Sequence, residues 1–359
     1  MANAYITNDY STGQIAVLDT VTNTVSTTIS VSNTPVGIAV SPDGSHAYTA
    51  NEGNNTVGVI NLTAVPPSVS SISLASGTTP QRLAISPDGT QVWVANTGNN
   101  TVSVIVSGSV AHTLSLSATP RYIAFTPDGS YVYVPINNGT VNIYSTGSTP
   151  SLAHTVSLSY PNVNGVAISA DGSYAYVANS DTLGHHYLVV ISTSGTPSIS
   201  TSIAVGSGPC GVAVRPNASE AYVVNTGDGT VSVVNTSTNT VTATLTVATS
   251  GNGTDIAFTP DGVVAYVADI STSGNVKAIN AITHAVSSIT VNSNAGVATL
   301  GVATYGTTQL VPPSVGYITN SGTGTVYVVN LNTQEVAAQI TVGTDLLASR
   351  FRPMGCMFL

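Results

Sequence analysis

Ala47-Tyr48-Thr49-Ala50-Asn51 is the phrase on which the reading of this chain turns: a small residue, an aromatic, a β-branched residue, a small residue and an asparagine. It recurs with small changes around Tyr5, Trp93, Tyr133, Tyr176, Tyr222, Tyr266 and Tyr317, so successive aromatics stand 43, 45, 40, 43, 46, 44 and 51 residues apart. A fixed period in the low forties is the length of one four-stranded propeller blade. Ahead of the phrase runs a segment such as Pro35-Val36-Gly37-Ile38-Ala39-Val40, followed by a turn such as Ser41-Pro42-Asp43-Gly44. Proline presets φ, aspartate accepts from backbone N–H groups and glycine takes positive φ, so this is a tight turn for stated reasons. After the phrase come two alternating segments, such as Thr56-Val57-Gly58-Val59-Ile60-Asn61 and Thr240-Val241-Thr242-Ala243-Thr244-Leu245. Period-2 alternation marks strands, and no useful helical periodicity competes with it.

The expectation is an all-β chain folded as a single β-propeller domain over residues 1–359, with eight four-stranded blades. The first repeat opens at its second strand, with Tyr5. The segment Pro353-Met354-Gly355-Cys356-Met357-Phe358-Leu359 aligns with Pro35 to Val40 and with Pro209 to Val214. The C-terminal strand is therefore expected to join the N-terminal blade and close the ring, leaving no unpaired inner edge. Seven blades is the alternative, because the last repeat replaces its turn with the irregular stretch from Tyr305 to Pro313. Ala39, Ala84, Ala124, Ala167, Ala213 and Ala257 fall mid-way along the inner strands, where converging blades leave room for small side chains.

Composition agrees. Hydrophobic residues make up 42% and charged residues 6%, against about 25% charged in an average soluble domain. No apolar run is long enough for a membrane helix, and the wealth of Val, Ile and Thr argues against disorder. The surface is expected to be covered by Ser, Thr and Asn. The net charge of −9 disfavours nucleic acid as a partner and disfavours an anionic membrane surface. The two cysteines, Cys210 and Cys356, fall in different repeats and are expected to be free thiols. No signal peptide is visible before the first strand pattern, and a targeting segment removed beforehand would leave no trace.

The Tyr-Val-Ala-Asn and Ser-Pro-Asp-Gly phrases, in a repeat of forty-odd residues, resemble the YVTN family of β-propeller repeats over nearly the whole chain. That resemblance implies a propeller fold and a setting among surface-layer and secreted proteins. Related propellers include lactonases, a streptogramin-inactivating lyase and cofactor-bearing oxidoreductase subunits, so fold analogy alone does not choose a function.

The chemistry of the residues narrows this. Neither cysteine sits in a Cys-x-x-Cys-His, the attachment pattern of c-type haem, and no cofactor is expected. Of the six histidines only His185 and His186 adjoin. They lie in an insertion between two strands and are weak metal candidates, since neighbouring strand residues face opposite ways. His46, His112, His154 and His284 read as surface residues. Asp43, Asp88, Asp128, Asp171 and Asp261 are turn residues, and no nucleophile elbow or P-loop occurs.

A propeller's ligand site is sought where the repeats differ, at the start of the inner strands, which line the channel mouth. Most repeats carry glycine at the second of two positions there, but the chain has Gln81-Arg82, Arg121-Tyr122, Asn164-Gly165 and Thr254-Asp255. Gln81, Arg82, Arg121, Tyr122, Asn164 and Asp255 are the candidate ligand residues, for a small anionic or carbohydrate ligand. Sequons at Asn54, Asn61, Asn99, Asn138, Asn217, Asn235 and Asn252 permit glycosylation without arguing for it. The function expected is a non-catalytic extracellular or cell-surface module, with other protein subunits as partners through homo-oligomeric contacts in a layer or filament. The alternative is a lactonase- or lyase-like enzyme with its site at the channel mouth.

Overall fold

The computed structural model describes residues 3–8, 14–19, 24–30, 35–43, 45–64, 67–216, 219–247, 253–258, 262–269, 275–290, 302–305, 315–320, 325–330 and 335–341. Strands of five to seven residues dominate, and they pair into one three-stranded and seven four-stranded antiparallel sheets. The three-stranded sheet spans residues 3–30. The second to eighth sheets start at residues 35, 80, 124, 162, 209, 253 and 302. Each four-stranded sheet is a meander, with its strands neighbouring in chain order, and inner strands of consecutive sheets from the second to the eighth lie against one another. This is a propeller-like all-β architecture. The C-terminal segment expected to close a ring, and the stretch Tyr305–Pro313 apart from Tyr305 itself, lie outside the described residues.

The aromatic of each repeat explains the stacking. Trp93, Tyr133, Tyr176 and Tyr222 sit in second strands and are at most 2% exposed. Each is gripped between its own sheet and a neighbour. Tyr133 packs with Val163, Val177 and Val189 of the following sheet, and Tyr222 with Ile256, Val267 and Ile279 of the one after its own. Burying one such ring removes enough apolar surface to stabilise the fold by roughly 2–3 kcal/mol. The same burial pushes the Tyr133 and Tyr176 phenols up to about 12.

The asparagine that ends the phrase has its own task. Asn51, Asn96, Asn179 and Asn225 are at most 1% exposed. Asn96 Nδ2 donates to Thr101 Oγ1 and Ser103 Oγ, both at 2.9 Å, and Asn225 Nδ2 does the same to Thr230 and Ser232 at 3.0 and 2.9 Å. The amide thereby pins the turn between the second and third strands.

The Pro-Asp-Gly turns follow their sequence logic. Asp43, Asp88, Asp128 and Asp171 each accept a hydroxyl bond at 2.5 Å from the residue two before, and a backbone N–H bond at 3.0 Å from the residue two after. The Ser41 hydroxyl, then the Ser45 N–H, holds the Asp43 carboxyl at about 2. Gly89, Gly129 and Gly172 take φ of 72–75°. A Cβ on any of them would sit 3.3–3.4 Å from the turn proline of the preceding sheet, Pro42, Pro87 or Pro127. The turns thus interlock from sheet to sheet. Asp261 lies outside the described residues. The alanines of the inner strands that are described, Ala39, Ala84, Ala124, Ala167 and Ala213, are half-buried.

Candidate functional site

The first strand of a sheet and the turn between its second and third strands open on the same end of the molecule, and the expected ligand residues gather there. Arg82 pairs with Ala95 just after a bulge that follows Pro80. Its guanidinium lies over the Tyr122 ring of the next sheet, 5.7 Å from the centroid, in a cation–π contact. Gln81 Nε2 donates to Glu52 Oε1 of the previous sheet at 3.4 Å, a long bond. Asn164 Nδ2 donates to the Pro209 carbonyl at 3.1 Å and so ties the fifth inner strand to the sixth. Arg121 is exposed. Asp255 is placed opposite Ala268, and its side chain lies outside what the structure describes.

The fourth inner strand is unlike the others. It is regular only over Ala124–Phe125, with Pro120 held in an isolated bridge to Ile136 and the Arg121 N–H bonded to the Pro135 carbonyl at 3.0 Å. In the second, third and sixth sheets the strand runs six residues from the proline. Arg121, Tyr122 and Ile123 therefore stand outside the ladder.

The adjacent histidines separate as alternation requires. His185 closes a loop: its Nδ1 lies 2.6 Å from Asp181 Oδ2, and Asp181 Oδ1 accepts the N–H groups of Leu183 and His185 at 2.8 and 3.0 Å. The ring stacks on Tyr160 at 4.5 Å and 11°, and Tyr160 lies parallel to Tyr187 at 5.5 Å. His186 opens the next strand and meets Ser207 Oγ at 3.2 Å through Nε2, while its Nδ1 accepts the Gly208 N–H at 3.4 Å. Because a backbone N–H only donates, the neutral ring carries its proton on Nε2 and donates to Ser207. Ser207 is thus not activated as a nucleophile. The pair does not converge on one point, and among the described residues no group of three His, Cys, Asp or Glu side chains is placed to hold a metal. Cys210 is half-buried in the sixth inner strand, and Cys356 lies outside the described residues.

The reading of His284 as a surface residue is corrected. Its Nε2 lies 3.1 Å from Glu220 Oε1, across a sheet boundary, and Glu220 Oε2 pairs with Arg215 at 3.1 Å. His112 likewise reaches the Ser148 carbonyl of the next sheet at 3.0 Å.

A second surface feature went unseen in the sequence. Val69, Leu152, Ile199, Val241, Val286 and Val336 stand at the start of six outer strands and are 36–52% exposed. Each pairs with the penultimate apolar residue of the third strand, as in Ile60 with Val69 or Tyr144 with Leu152. Exposure falls along the strand, from 52% at Leu152 to 6% at Val156 and from 40% at Ile199 to 6% at Ile203. The outer strands carry one charged residue, Glu335. Natural edges are commonly blunted by charge; here six of the eight third-to-outer pairings carry a register shift instead.

A family profile described as the Choice-of-anchor I domain matches residues 2–142. No curated protein matches the chain. Solved structures do. Apo AztD from Citrobacter koseri is 13% identical with a TM-score of 0.73, covering 99% of each chain. Dihydro-heme d1 dehydrogenase NirN in complex with DHE is 14% identical with a TM-score of 0.75, covering 99% of this chain and 75% of that one. Hydrazine synthase of Kuenenia stuttgartiensis is 18% identical with a TM-score of 0.57, covering 78% of this chain and 90% of that one. At such identities the likeness is one of fold, and together with the stacked four-stranded sheets it identifies this chain as propeller-like and all-β.

Proposed function

We propose that the chain is a non-catalytic, eight-bladed β-propeller, one domain closed by its C-terminal strand, that serves outside the cell or at its surface as a structural and interaction module and packs against further copies of itself through its rim. The observation that carries this reading is the row of exposed aliphatic side chains on uncharged Ser/Thr-rich outer strands. A row of this kind gains by burial against another surface, and no charge on five of these six strands opposes like packing on like. The Choice-of-anchor I match supports a surface or secreted setting. The YVTN-like repeat, and a place in a layer or filament, belong to the same proposal.

Sedimentation velocity over a wide range of concentration tests it. The wild type is expected to form larger species as concentration rises, and a Leu152→Asp, Ile199→Asp variant to remain monomeric. Both positions are exposed, so the variant is expected to keep its thermal midpoint within a few degrees. A wild type that stays monomeric throughout, or a folded variant that assembles as the wild type does, would rule the rim out.

A further inference from the structure

We propose that Arg82 and Arg121, with Tyr122 between them, form a binding site for a small oxyanion, a compound bearing carboxylate or phosphate groups, at the inner end of the third and fourth sheets. This site is separate from the rim and stands or falls without it.

Three observations converge. The first is the local exchange of glycine for long side chains. Gly37, Arg82 and Asp255 all pair with the alanine of the aromatic phrase, Ala50, Ala95 and Ala268. Where glycine holds the place, neighbouring inner strands close backbone to backbone: a Cβ on Gly165 would sit 2.3 Å from the Cys210 carbonyl oxygen. Between the third and fourth sheets the corresponding residues are Arg82 and Tyr122, and the 5.7 Å cation–π contact spans that gap instead. Side chains that project from this boundary have room that the fifth and sixth sheets deny them.

The second is the broken inner strand. Arg121, Tyr122 and Ile123 lie between the Pro120 bridge and Ala124 outside the regular strand, the Arg121 N–H still bonding the Pro135 carbonyl, and Arg121 is exposed. The ring that Arg82 lies over comes from this segment, so Arg121 is the chain neighbour of the residue that Arg82 contacts. Arginine keeps its charge at any pH the fold sees and presents a planar fork matched to carboxylate or phosphate oxygens.

The third is charge. The chain has 6 basic and 15 acidic residues, yet two of the six stand on adjacent inner strands. None of the three ion pairs among the described residues involves Arg82 or Arg121. Glu52, from the second sheet, accepts from the Gln81 amide. Neither guanidinium has a carboxylate partner among the described residues, and an anion that met both would supply one.

Calorimetric titration of the full chain at low ionic strength tests the proposal, with citrate and inorganic phosphate as probes. Three proteins are compared: wild type, Arg82→Gln with Arg121→Gln, and Lys277→Gln as a control that removes a positive charge elsewhere. The wild type is expected to bind at least one probe, the double variant to bind it about tenfold or more weakly, and the control to bind as the wild type does. Citrate alone would assign carboxylate compounds, and phosphate alone phosphoryl compounds. No binding of either probe, equal binding by the double variant, or an equal loss in the Lys277→Gln control would overturn it. A circular dichroism spectrum identical to wild type shows that the double variant is folded.

Discussion

Replacing Arg215 with methionine is expected to destabilise the protein by about 2–4 kcal/mol, as leaving three part-buried acceptors without their donor does. The residue stands where other repeats have the serine or threonine of the Pro-Asp-Gly turn. Its guanidinium is 13% exposed and reaches into the following sheet. Nε donates to the Gly262 carbonyl at 2.7 Å, and one terminal nitrogen donates to both Glu220 and the Ala281 carbonyl at 3.1 Å. Methionine keeps much of the apolar stem but supplies no donor. Two carbonyls and Oε2 of the 15%-exposed Glu220 carboxylate then lose their donor, while Oε1 keeps His284. Adding Glu220→Gln to Arg215→Met is expected to recover part of the loss, because the unpaired charge goes with it. Chemical denaturation followed by far-UV circular dichroism reads both midpoints. A single variant within about 1 kcal/mol of wild type would show that the sheets hold together without this cross-link.

Trp93→Ala is expected to cost a similar amount, about 3–5 kcal/mol. The indole is fully buried between the third and fourth sheets, against Val102, Val104, Val132, Val134 and Ile136. It meets Phe125 edge-on at 6.1 Å and Tyr144 at 5.9 Å, and its N–H donates to Gln91 Oε1 at 2.8 Å. Alanine leaves a cavity that two β-sheets are too stiff to collapse, and strands the Gln91 acceptor. Trp93→Tyr restores the aromatic used by the other repeats and is expected to cost less, about 1–3 kcal/mol. The chain has a single tryptophan, so circular dichroism rather than fluorescence follows the unfolding. If alanine and tyrosine cost the same, the ring is not what clamps these sheets.

What could be read from the sequence is what neighbours in the chain decide. The aromatic phrase, the alternating segments and the Pro-Asp-Gly turns each depend on contacts within a few residues, and each takes its expected form. The candidate ligand residues were chosen by a comparison of repeats, and the structure brings two of them, Arg82 and Tyr122, into contact because equivalent places in adjacent sheets are neighbours in space. Features that depend on how one sheet rests on the next were hidden. His284 and Glu220 are 64 residues apart, and nothing local in either segment marks the pair. The rim was hidden for another reason. Alternation alone would put Leu152 and Val156 on one face of their strand. The bulge beside Leu152 instead turns it to the face of Tyr144, toward the third sheet, while Val156 shares the face of Val141 in the core between the fourth and fifth sheets, so one is covered and the other half exposed. The task of the buried asparagines was not legible, because a fully buried amide is uncommon and depends on the Thr and Ser hydroxyls of the facing strand.

The proposal that one ring is closed by its own ends has a direct chemical test. Aligning the C-terminal segment with the other inner strands puts Cys356 opposite Ile6, at the register where Ile38 faces Thr49 and Leu83 faces Val94. Directly opposed residues of an antiparallel pair are close enough for a disulfide. An Ile6→Cys variant, oxidised at low concentration and mapped by peptide mass spectrometry, is predicted to form an intramolecular bridge from the introduced thiol to Cys356 in most molecules. An introduced thiol that stays reduced, or that bridges only between molecules, would contradict a ring closed by the C-terminal strand.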